Sequence, residues 1–385
     1  MDFASAVETK NRAQRMAGTF TFGIEEEYFL IDAATKLIAS DVPQEFFAAA
    51  RVATDGRIAP EFLQPQVEVI TAPHMNMADA RVELRHLRRT LAAVAAEHGL
   101  AIFAAGTHPT ALWREAQQTA KRRYDAVMHD LQMIGQRDLL CGLHVHVALP
   151  DSDRRIDVMY RMLPYLPLLL ALSTSSPFWQ SRRTGLKGYR LAAYDELPRS
   201  GVPELLRTRE DFDAYVAALV QAGVIEDSSF IWWAIRPSLD NPTLELRAPD
   251  SCTLVEDSIA IAALYRTLSR YLYVNRWRNS DLNAVSRALI VENKWRAQRY
   301  GVHGTFVTEG GALTVAEMLD QVIEETAADA AALGCAGEID RCRAIAGAGT
   351  SADAQLAVFE AQGVGASREI ALRAVADWVA AATLQ

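Results

Sequence analysis

The segment Thr19–Ile31, which reads TFTFGIEEEYFLI, combines the aromatic and β-branched residues typical of a strand with three consecutive glutamates. Alternate side chains of a strand lie on the same face, so Glu25 and Glu27 are predicted to share one face and Glu26 to lie on the other. Two neighbouring carboxylates on a half-buried surface are costly unless a cation lies between them. A divalent cation such as Mg²⁺ meets that need, whereas a solvent-facing edge strand that carries charges for solubility is the alternative.

Three further strand-like runs also place a carboxylate or a histidine among apolar residues. They are Glu68 within Pro65–Thr71, His144 and His146 within Cys141–Leu149, and Glu245 beside Arg247 within Thr243–Ala248. The structural alternatives are a salt bridge for the first run, core histidines for the second and a cross-strand ion pair for the third. Of the two histidines, His144 is predicted to reach a metal or a nucleotide, and His146 to support it. Glu61 precedes the second of the four strands and is also compatible with an ordinary surface position.

The recurrence of these side chains in four apolar strands favours one shared site over four separate structural roles. The residues predicted to line one face of a single sheet and to hold metal are Glu25, Glu27, Glu68, His144 and Glu245. So much acid indicates more than one divalent ion, and Arg247 is predicted to bind phosphate oxygens beside them. Several Mg²⁺ ions together with arginines are typical of phosphoryl transfer from a nucleotide. The sequence contains no Walker loop, kinase signature or Gly-x-Gly-x-x-Gly motif, and zinc sites are richer in histidine and cysteine.

The irregular alternation of strand-like and helical runs predicts an α+β fold with a largely antiparallel sheet, one face of which carries the site. Helices are predicted at Asn76–Glu97, Lys121–Gly135, Arg154–Leu172, Arg209–Ala222 and Val255–Trp277. The predicted organisation is a catalytic domain over residues 1–310 and an alanine-rich, acidic helical segment over residues 311–385 that packs on it.

Clusters of positive charge near predicted loops supply candidates for contacts with phosphate or substrate. Arg190 and Arg299 are the first choices, and Arg123 and Lys294 follow. Each cluster taken alone is most often a solvated surface, but an acidic chain that binds phosphate needs some of these charges at its site. The segment Asn293–Gly301, which contains two of the four, is interpreted as following a helix.

Composition excludes some classes of function. The chain has 385 residues, 50% of them hydrophobic, and a net charge of −9, which argues against a nucleic-acid surface. Its four cysteines show no metal-ligand spacing and are too few for a disulfide scaffold, which predicts a reducing, cytoplasmic location. Met1–Arg15 lacks the apolar core of a signal peptide, and Met162–Leu172 is too short to span a membrane, so no membrane partner is expected.

Five motifs occur in a characteristic order: Gly23–Glu27, Gly106–Pro109, His144–Val147, Thr243–Arg247 and Arg299–Gly301. In this order they resemble the carboxylate-amine ligases of the YbdK type, the glutamate–cysteine ligase 2 family of the glutamine synthetase-like superfamily. The likeness implies an antiparallel sheet curled into a funnel with metals at its acidic floor. It also implies that ATP and two or more Mg²⁺ ions serve to join a carboxylate to an amine. Glutamate and an amine such as cysteine are the implied amino-acid substrates, with weak glutamate–cysteine ligase activity, and a homo-oligomer is implied by family likeness only.

Carried over to matching positions, the likeness implies a metal set, a phosphate-binding arginine and an additional acid. The metal set is Glu25, Glu27, Glu68, His144 and Glu245; the predicted catalytic residues are Arg247, Glu61 and Arg190; the predicted nucleotide contacts are Arg247, Arg299, Lys294 and Arg123. Gly142-Leu143 and Ala148-Leu149 depart from the family pattern around the histidine pair, and this departure concerns the shape of the nearby pocket. Two alternatives stay open: a guanido-kinase-like phosphotransferase, and a nucleotide- or metal-sensing module without turnover.

Overall fold

A seven-stranded antiparallel sheet forms the centre of the structure, a computed structural model that describes residues 20–363 and 367–385. Met1–Arg15, expected not to be a signal peptide, and Thr19 lie outside these residues. The strands in the described residues are β1 (Phe22–Asp32), β2 (Ile58–Pro60), β3 (Gln66–Ile70), β4 (Leu100–Phe103), β5 (Leu143–Ala148), β6 (Phe178–Trp179), β7 (Arg182–Arg183), β8 (Ser200–Gly201), β9 (Trp232–Trp233), β10 (Ile235–Pro237), β11 (Thr243–Leu246), β12 (Thr305–Thr308) and β13 (Gly311–Thr314). The sheet has the order β10-β11-β5-β1-β3-β2, with β4 paired to the second half of β1. The predicted α+β class is thus confirmed.

Helices fill most of the intervening chain. Those in the described residues are α1 (Gln44–Ala53), α2 (Met77–Glu97), α3 (Arg122–Leu131), α4 (Met133–Gln136), α5 (Arg155–Met162), α6 (Leu166–Ser173), α7 (Tyr189–Tyr194), α8 (Arg209–Gln221), α9 (Val255–Val274), α10 (Ala284–Tyr300), α11 (Val315–Leu333), α12 (Ala336–Ala348), α13 (Ser351–Ala361) and α14 (Arg368–Ala382). The predicted helix over Asn76–Glu97 corresponds to α2. Its first predicted residue, Asn76, is the N-cap, and the Asn76 side chain accepts a hydrogen bond from the Asp79 backbone N–H at 2.9 Å.

β1 organises the sheet because it is long enough to pair with three other strands. One edge of β1 pairs with β5 and then with β4, and the other edge pairs with β3. β11 joins on the far side of β5. The four strands with acidic or histidine side chains, β1, β3, β5 and β11, are therefore immediate neighbours.

The opposite face of β1 packs in the core on α2, and its Glu26 accepts a hydrogen bond from the Ser258 hydroxyl of α9. Glu26 is fully buried there and accepts two hydrogen bonds from the Arg88 guanidinium, at 2.8 and 2.7 Å. Arg88 also donates to the backbone carbonyls of Cys252, Thr253 and Thr383. One buried ion pair thus ties the central strand to α2, to the segment before α9 and to the end of the chain.

The apolar segment Ser152–Ser173 passes a length-and-composition test for a membrane-crossing helix, but 89% of its apolar window is buried inside the protein. It is also interrupted, since α5 and α6 are separated by a short 3₁₀ turn at Leu163–Tyr165. Its burial is that of a core element.

Two parts of the chain differ from the sequence-based expectation. α1 was not predicted, and Asn293–Gly301, which was expected to follow a helix, contains the last two turns of α10. The predicted boundary between residues 310 and 311 falls inside the β12–β13 hairpin, and α11 and α12 pack on α9.

Candidate active site

The register of the sheet brings the predicted acids and histidines into one row across four strands. The cross-strand pairs are Glu68 with Glu27, Glu25 with His144, and His146 with Glu245. Because these residues alternate along their strands with buried residues of the opposite face, all of them point to the same side of the sheet. Together with Glu61 they line a cleft of about 450 Å³.

Side chains of this row form three groups, and within each group the potential ligand atoms lie within 4.8 Å of one another. The groups are Glu27, Glu61 and Glu68; Glu25, Glu68 and His144; and Glu25, His146 and Glu245. Neighbouring groups share Glu68 or Glu25. The row therefore offers three adjacent cation positions that are linked by carboxylates able to bridge them.

At one end of the row the negative charge is poorly compensated. Burial, and then the charge of Glu27, raise the pKa of Glu61 to about 8. Burial, and then the charge of Glu25, raise the pKa of Glu68 well above its usual value. A group of carboxylates that resists ionisation in this way is stabilised by a bound cation, so these residues fit a divalent metal.

At the other end of the row two arginines compensate Glu245. Arg236, its cross-strand neighbour, donates from Nε to Oε2 at 2.8 Å and from Nη2 to Oε1 at 3.2 Å. Arg247 donates from Nη1 to Oε1 at 2.5 Å. Although burial opposes it, the charges of Arg247 and Arg236 hold the pKa of Glu245 below its usual range. The two arginines at this end of the row are suited to bind an anionic ligand next to the metal positions.

Both histidines present an unpartnered ring nitrogen to the acids. His146 Nε2 lies 3.2 Å from Glu25 Oε1, and His144 Nε2 lies 3.6 Å from Glu27 Oε1, yet both Nε2 atoms are buried without a hydrogen bond in the described structure. Burial, and then the charge of Arg247, lower the pKa of His144, which favours the neutral ring that a metal binds. His146, expected only to support His144, has an equivalent position.

The structure brings Arg247, Arg190 and Arg123 to the cleft. Arg247 donates from Nη2 to the Tyr194 hydroxyl at 3.2 Å, and its Nε is buried without a partner in the described structure. Arg190 is almost completely buried and donates from Nη1 to the carbonyls of Arg247 and Pro249, at 3.1 and 3.0 Å. Arg190 therefore holds the backbone that carries Arg247.

The structure does not bring Arg299 and Lys294 to the lining of the cleft. Arg299 is exposed and lies over the Tyr300 ring, 5.1 Å from its centroid, while Lys294 forms an ion pair with Asp195. Both belong to α10, where helical geometry rather than loop geometry decides which way they point. Nucleotide contacts from these two residues remain a prediction that this placement does not support.

Gly142, one of the departures from the family pattern, allows a close approach of Arg190. A Cβ atom at this position would collide with the guanidinium of Arg190. The backbone N–H of Gly142 also donates to Glu27 Oε2 at 2.5 Å, so the backbone orients an acid of the row. A polar side chain here would displace Arg190.

Sequence reasoning missed several residues that line the cleft, among them Asp138, Arg236, Trp232 and Tyr124. Arg236 had a detectable signal, since it follows the strand-like run Ile231–Ile235 at a position where a strand could present it. Asp138 lies between α4 and β5, and its only signal was one acid directly before an apolar run.

Comparison with known proteins identifies related chains. A profile described as "Glutamate-cysteine ligase family 2" matches residues 21–373. A Bradyrhizobium sp. protein (strain ORS 278) named "Putative glutamate--cysteine ligase 2" is 55% identical over 365 residues, which cover 95% of this chain and 88% of the relative. A Rhodospirillum rubrum protein of the same name is 44% identical over 372 residues, which cover 95% and 96% of the two chains.

Solved structures share the fold at low sequence identity. Glutamate–cysteine ligase from Francisella tularensis, determined in complex with AMP, superposes with a TM-score of 0.70 at 12% identity over 95% of this chain and 89% of that one. A bifunctional glutathione synthetase from Pasteurella multocida gives a TM-score of 0.66 at 16% identity over 98% of this chain and 54% of that one. These likenesses establish that the chain shares the fold of these two ligase structures.

Proposed function

The chain belongs to glutamate–cysteine ligase family 2, and from that premise we propose that it uses ATP to join the γ-carboxylate of glutamate to an amine such as cysteine. Membership of the family makes it an ATP-dependent carboxylate-amine ligase. The observation that carries the proposal for this chain is the row of three linked acidic groups that ends at the arginine pair Arg236 and Arg247. Acids for divalent cations beside arginines for phosphate are what a triphosphate with its metal ions requires.

The residues that would hold two or more Mg²⁺ ions are Glu25, Glu27, Glu68, His144 and Glu245, with Glu61 and His146 completing the outer groups. When bound, Mg²⁺ offsets the charge of the phosphate oxygens during transfer. Arg247 has a buried Nε without a partner in the described structure, so it can donate to a phosphate oxygen without breaking an existing bond from that atom.

In the proposed reaction a donor carboxylate oxygen attacks the γ-phosphorus of ATP, and ADP leaves with the bonding electron pair. The resulting acyl phosphate is attacked at its carbonyl carbon by the neutral amine, the C–O bond to phosphate breaks, and the amine loses a proton as the amide forms. The protein supplies no covalent nucleophile in this scheme. Cys141 and Cys252 are buried, and burial raises the pKa of both thiols well above the usual value, so both stay protonated.

The test is a screen for phosphate release with ATP, Mg²⁺ and pairs of amino acids, followed by mass spectrometry of the product. Free phosphate together with a new amide supports the ligase. A phosphorylated acceptor, or nucleotide binding without turnover across the panel, contradicts it. Small-molecule substrates, a cytoplasmic location in keeping with four free cysteines, and a homo-oligomeric state belong to the same proposal.

A further inference from the structure

One wall of the cleft differs from the acidic row because it is mostly apolar and carries a single carboxylate, although Arg123 and Tyr124 of α3 also line the cleft. Its apolar side chains are Phe62, Val127, Leu131, Leu140 and Leu197. Val127 and Leu131 are four residues apart on α3 and therefore lie on the same helix face. The carboxylate is that of Asp138, which belongs to none of the three potential metal groups.

The turn that ends at Asp138 lies against this wall. A Cβ atom at Gly135 would lie 3.2 Å from Leu131 Cβ and 3.6 Å from Phe62 Cε1, so both side chains pack on the turn. The Asp138 N–H donates to the Gly135 carbonyl at 3.2 Å, which fixes the acid at the end of that turn.

An ion pair of the residue before Asp138 connects this turn to the segment that carries Leu197. Its neighbour Arg137 forms an ion pair with Glu196 at 2.9 Å, and Leu197 follows Glu196 in the chain. Apolar side chains from α3 and Leu197 thus line the same cleft as the Asp138 carboxylate.

The Asp138 carboxylate has no partner of its own among the described residues. Within residues 20–363 and 367–385, its carboxylate takes part in no side-chain hydrogen bond and no ion pair. Burial, and then the charge of Glu27, raise its pKa to about 7, while Arg190 and Arg247 act in the opposite direction. The charges of these arginines do not outweigh burial, so a bound cation would stabilise the carboxylate further.

We propose that Asp138 and this apolar wall form the acceptor subsite, and that the acceptor is a primary amine with an apolar side chain whose ammonium group binds Asp138. The inference rests on the proposed ligase function and deepens it. A dicarboxylate such as glutamate is the poorer occupant, because Glu27 and Glu61 already place negative charge near Asp138.

The first test compares methylamine, propylamine and isopentylamine as acceptors at saturating ATP, Mg²⁺ and glutamate. Each buried methylene is expected to raise kcat/KM by up to about fourfold, so isopentylamine should exceed methylamine by at least about tenfold. Equal values for the three amines, or a higher value for aspartate as the acceptor, overturn the proposal.

The second test uses Asp138→Asn, which keeps the shape of the side chain and removes its charge. We expect KM for isopentylamine to rise by about tenfold or more, because a charge-assisted hydrogen bond is lost, while KM for ATP and for glutamate stays within twofold. Asp130→Asn is the matched control, since Asp130 is an exposed acid near the end of α3 that does not line the cleft. An effect of Asp138→Asn on KM for glutamate alone overturns the assignment to the amine.

The third test is Leu131→Ala, which should reduce the preference for isopentylamine over methylamine without changing KM for glutamate. Val220→Ala on α8 is its control, because Val220 is partly exposed and outside the cleft. An unchanged preference in Leu131→Ala argues against the wall.

Failure of the ligase function is distinguishable from failure of this subsite. If no amine gives product, binding of isopentylamine to the full chain is measured by calorimetry without ATP. Binding by the wild type that is lost in Asp138→Asn supports the subsite although the ligase proposal has failed, and absence of binding overturns the subsite as well.

Discussion

Glu26 and Glu27 are adjacent glutamates, but replacing each by glutamine should have opposite effects on stability and on activity. Glu26 is fully buried and paired with Arg88, whereas Glu27 belongs to an acidic group that faces the cleft. We expect Glu26→Gln to lower stability with little effect on chemistry. We expect Glu27→Gln to abolish chemistry with little effect on stability.

The magnitudes follow from the contacts of each side chain. Glu26→Gln leaves the Arg88 guanidinium buried without its counter-charge, and breaking such a pair typically costs about 3–5 kcal/mol. The Tyr28 and Ser258 hydroxyls also donate to Glu26, so the amide group would face donors on several sides. Glu27→Gln removes one of three mutually repelling carboxylates, and its amide oxygen can still accept the Gly142 N–H bond. Its unfolding free energy should change by less than about 1 kcal/mol.

The assay combines urea unfolding in the presence of a chelator with phosphate release in the presence of Mg²⁺. Glu26→Gln should show a lower urea midpoint and, at a temperature where it is folded, kcat within about threefold of the wild type. Glu27→Gln should keep the wild-type midpoint and lose at least about 100-fold in kcat, the loss expected on removing one charge-stabilising group. Equal destabilisation of the two variants, or turnover retained in Glu27→Gln, would refute the assignment of the two faces of β1.

Three further outcomes are expected. Arg247→Lys should raise KM for ATP by about tenfold or more, because an ammonium group cannot make the bidentate contact of a guanidinium; an unchanged KM would contradict the phosphate role. His108 is buried with Nε2 2.9 Å from the Lys36 carbonyl, and burial lowers its pKa to about 4 from 6.5, so between these values the unfolded chain binds a proton that the folded protein does not. Stability should therefore fall by up to about 3 kcal/mol as the pH drops from 6.5 to 4, and urea titrations of His108→Gln should show a flatter profile. Mg²⁺ should raise the melting temperature of the wild type more than that of Glu68→Gln, and an equal rise in both would count against Glu68 as a ligand.

The alternation of side chains along strands allowed the acids and histidines of the row to be predicted from the sequence. Glu25 and Glu27 could be assigned to one face before any pairing was known, since period two is a local property of the backbone. The pairing of Glu25 with His144 could be anticipated only as convergence, because register depends on which strands become neighbours. The order of the five motifs indicated this convergence only indirectly, through the resemblance to a family.

Residues on helices and in turns were less predictable. Arg299 and Lys294 carry the positive charge that a phosphate contact needs. The direction in which their side chains point depends on how α10 packs, and no local sequence pattern predicts that packing. Arg236 and Asp138 reach the cleft through the meeting of segments far apart in the chain. Gly142 could be identified only as a departure from the family pattern. The reason for a glycine at this position is the close approach of Arg190, a tertiary contact that the sequence does not show.

The buried ion pair on the rear face of β1 also bears on how the site forms. A slip of β1 by one residue would turn Glu25 and Glu27 into the core and expose Glu26 to the cleft. Arg88 opposes that shift in register. Its guanidinium is held by three backbone carbonyls, and it pairs with a carboxylate in the native alignment when Glu26 faces it. Two carboxylates turned into the core would face one guanidinium, and the excess buried charge would be costly. The contact that holds β1 in the core thus also sets the alignment in which its other face meets His144 and Glu68, so the stability of the sheet and the geometry of the site have a common structural cause.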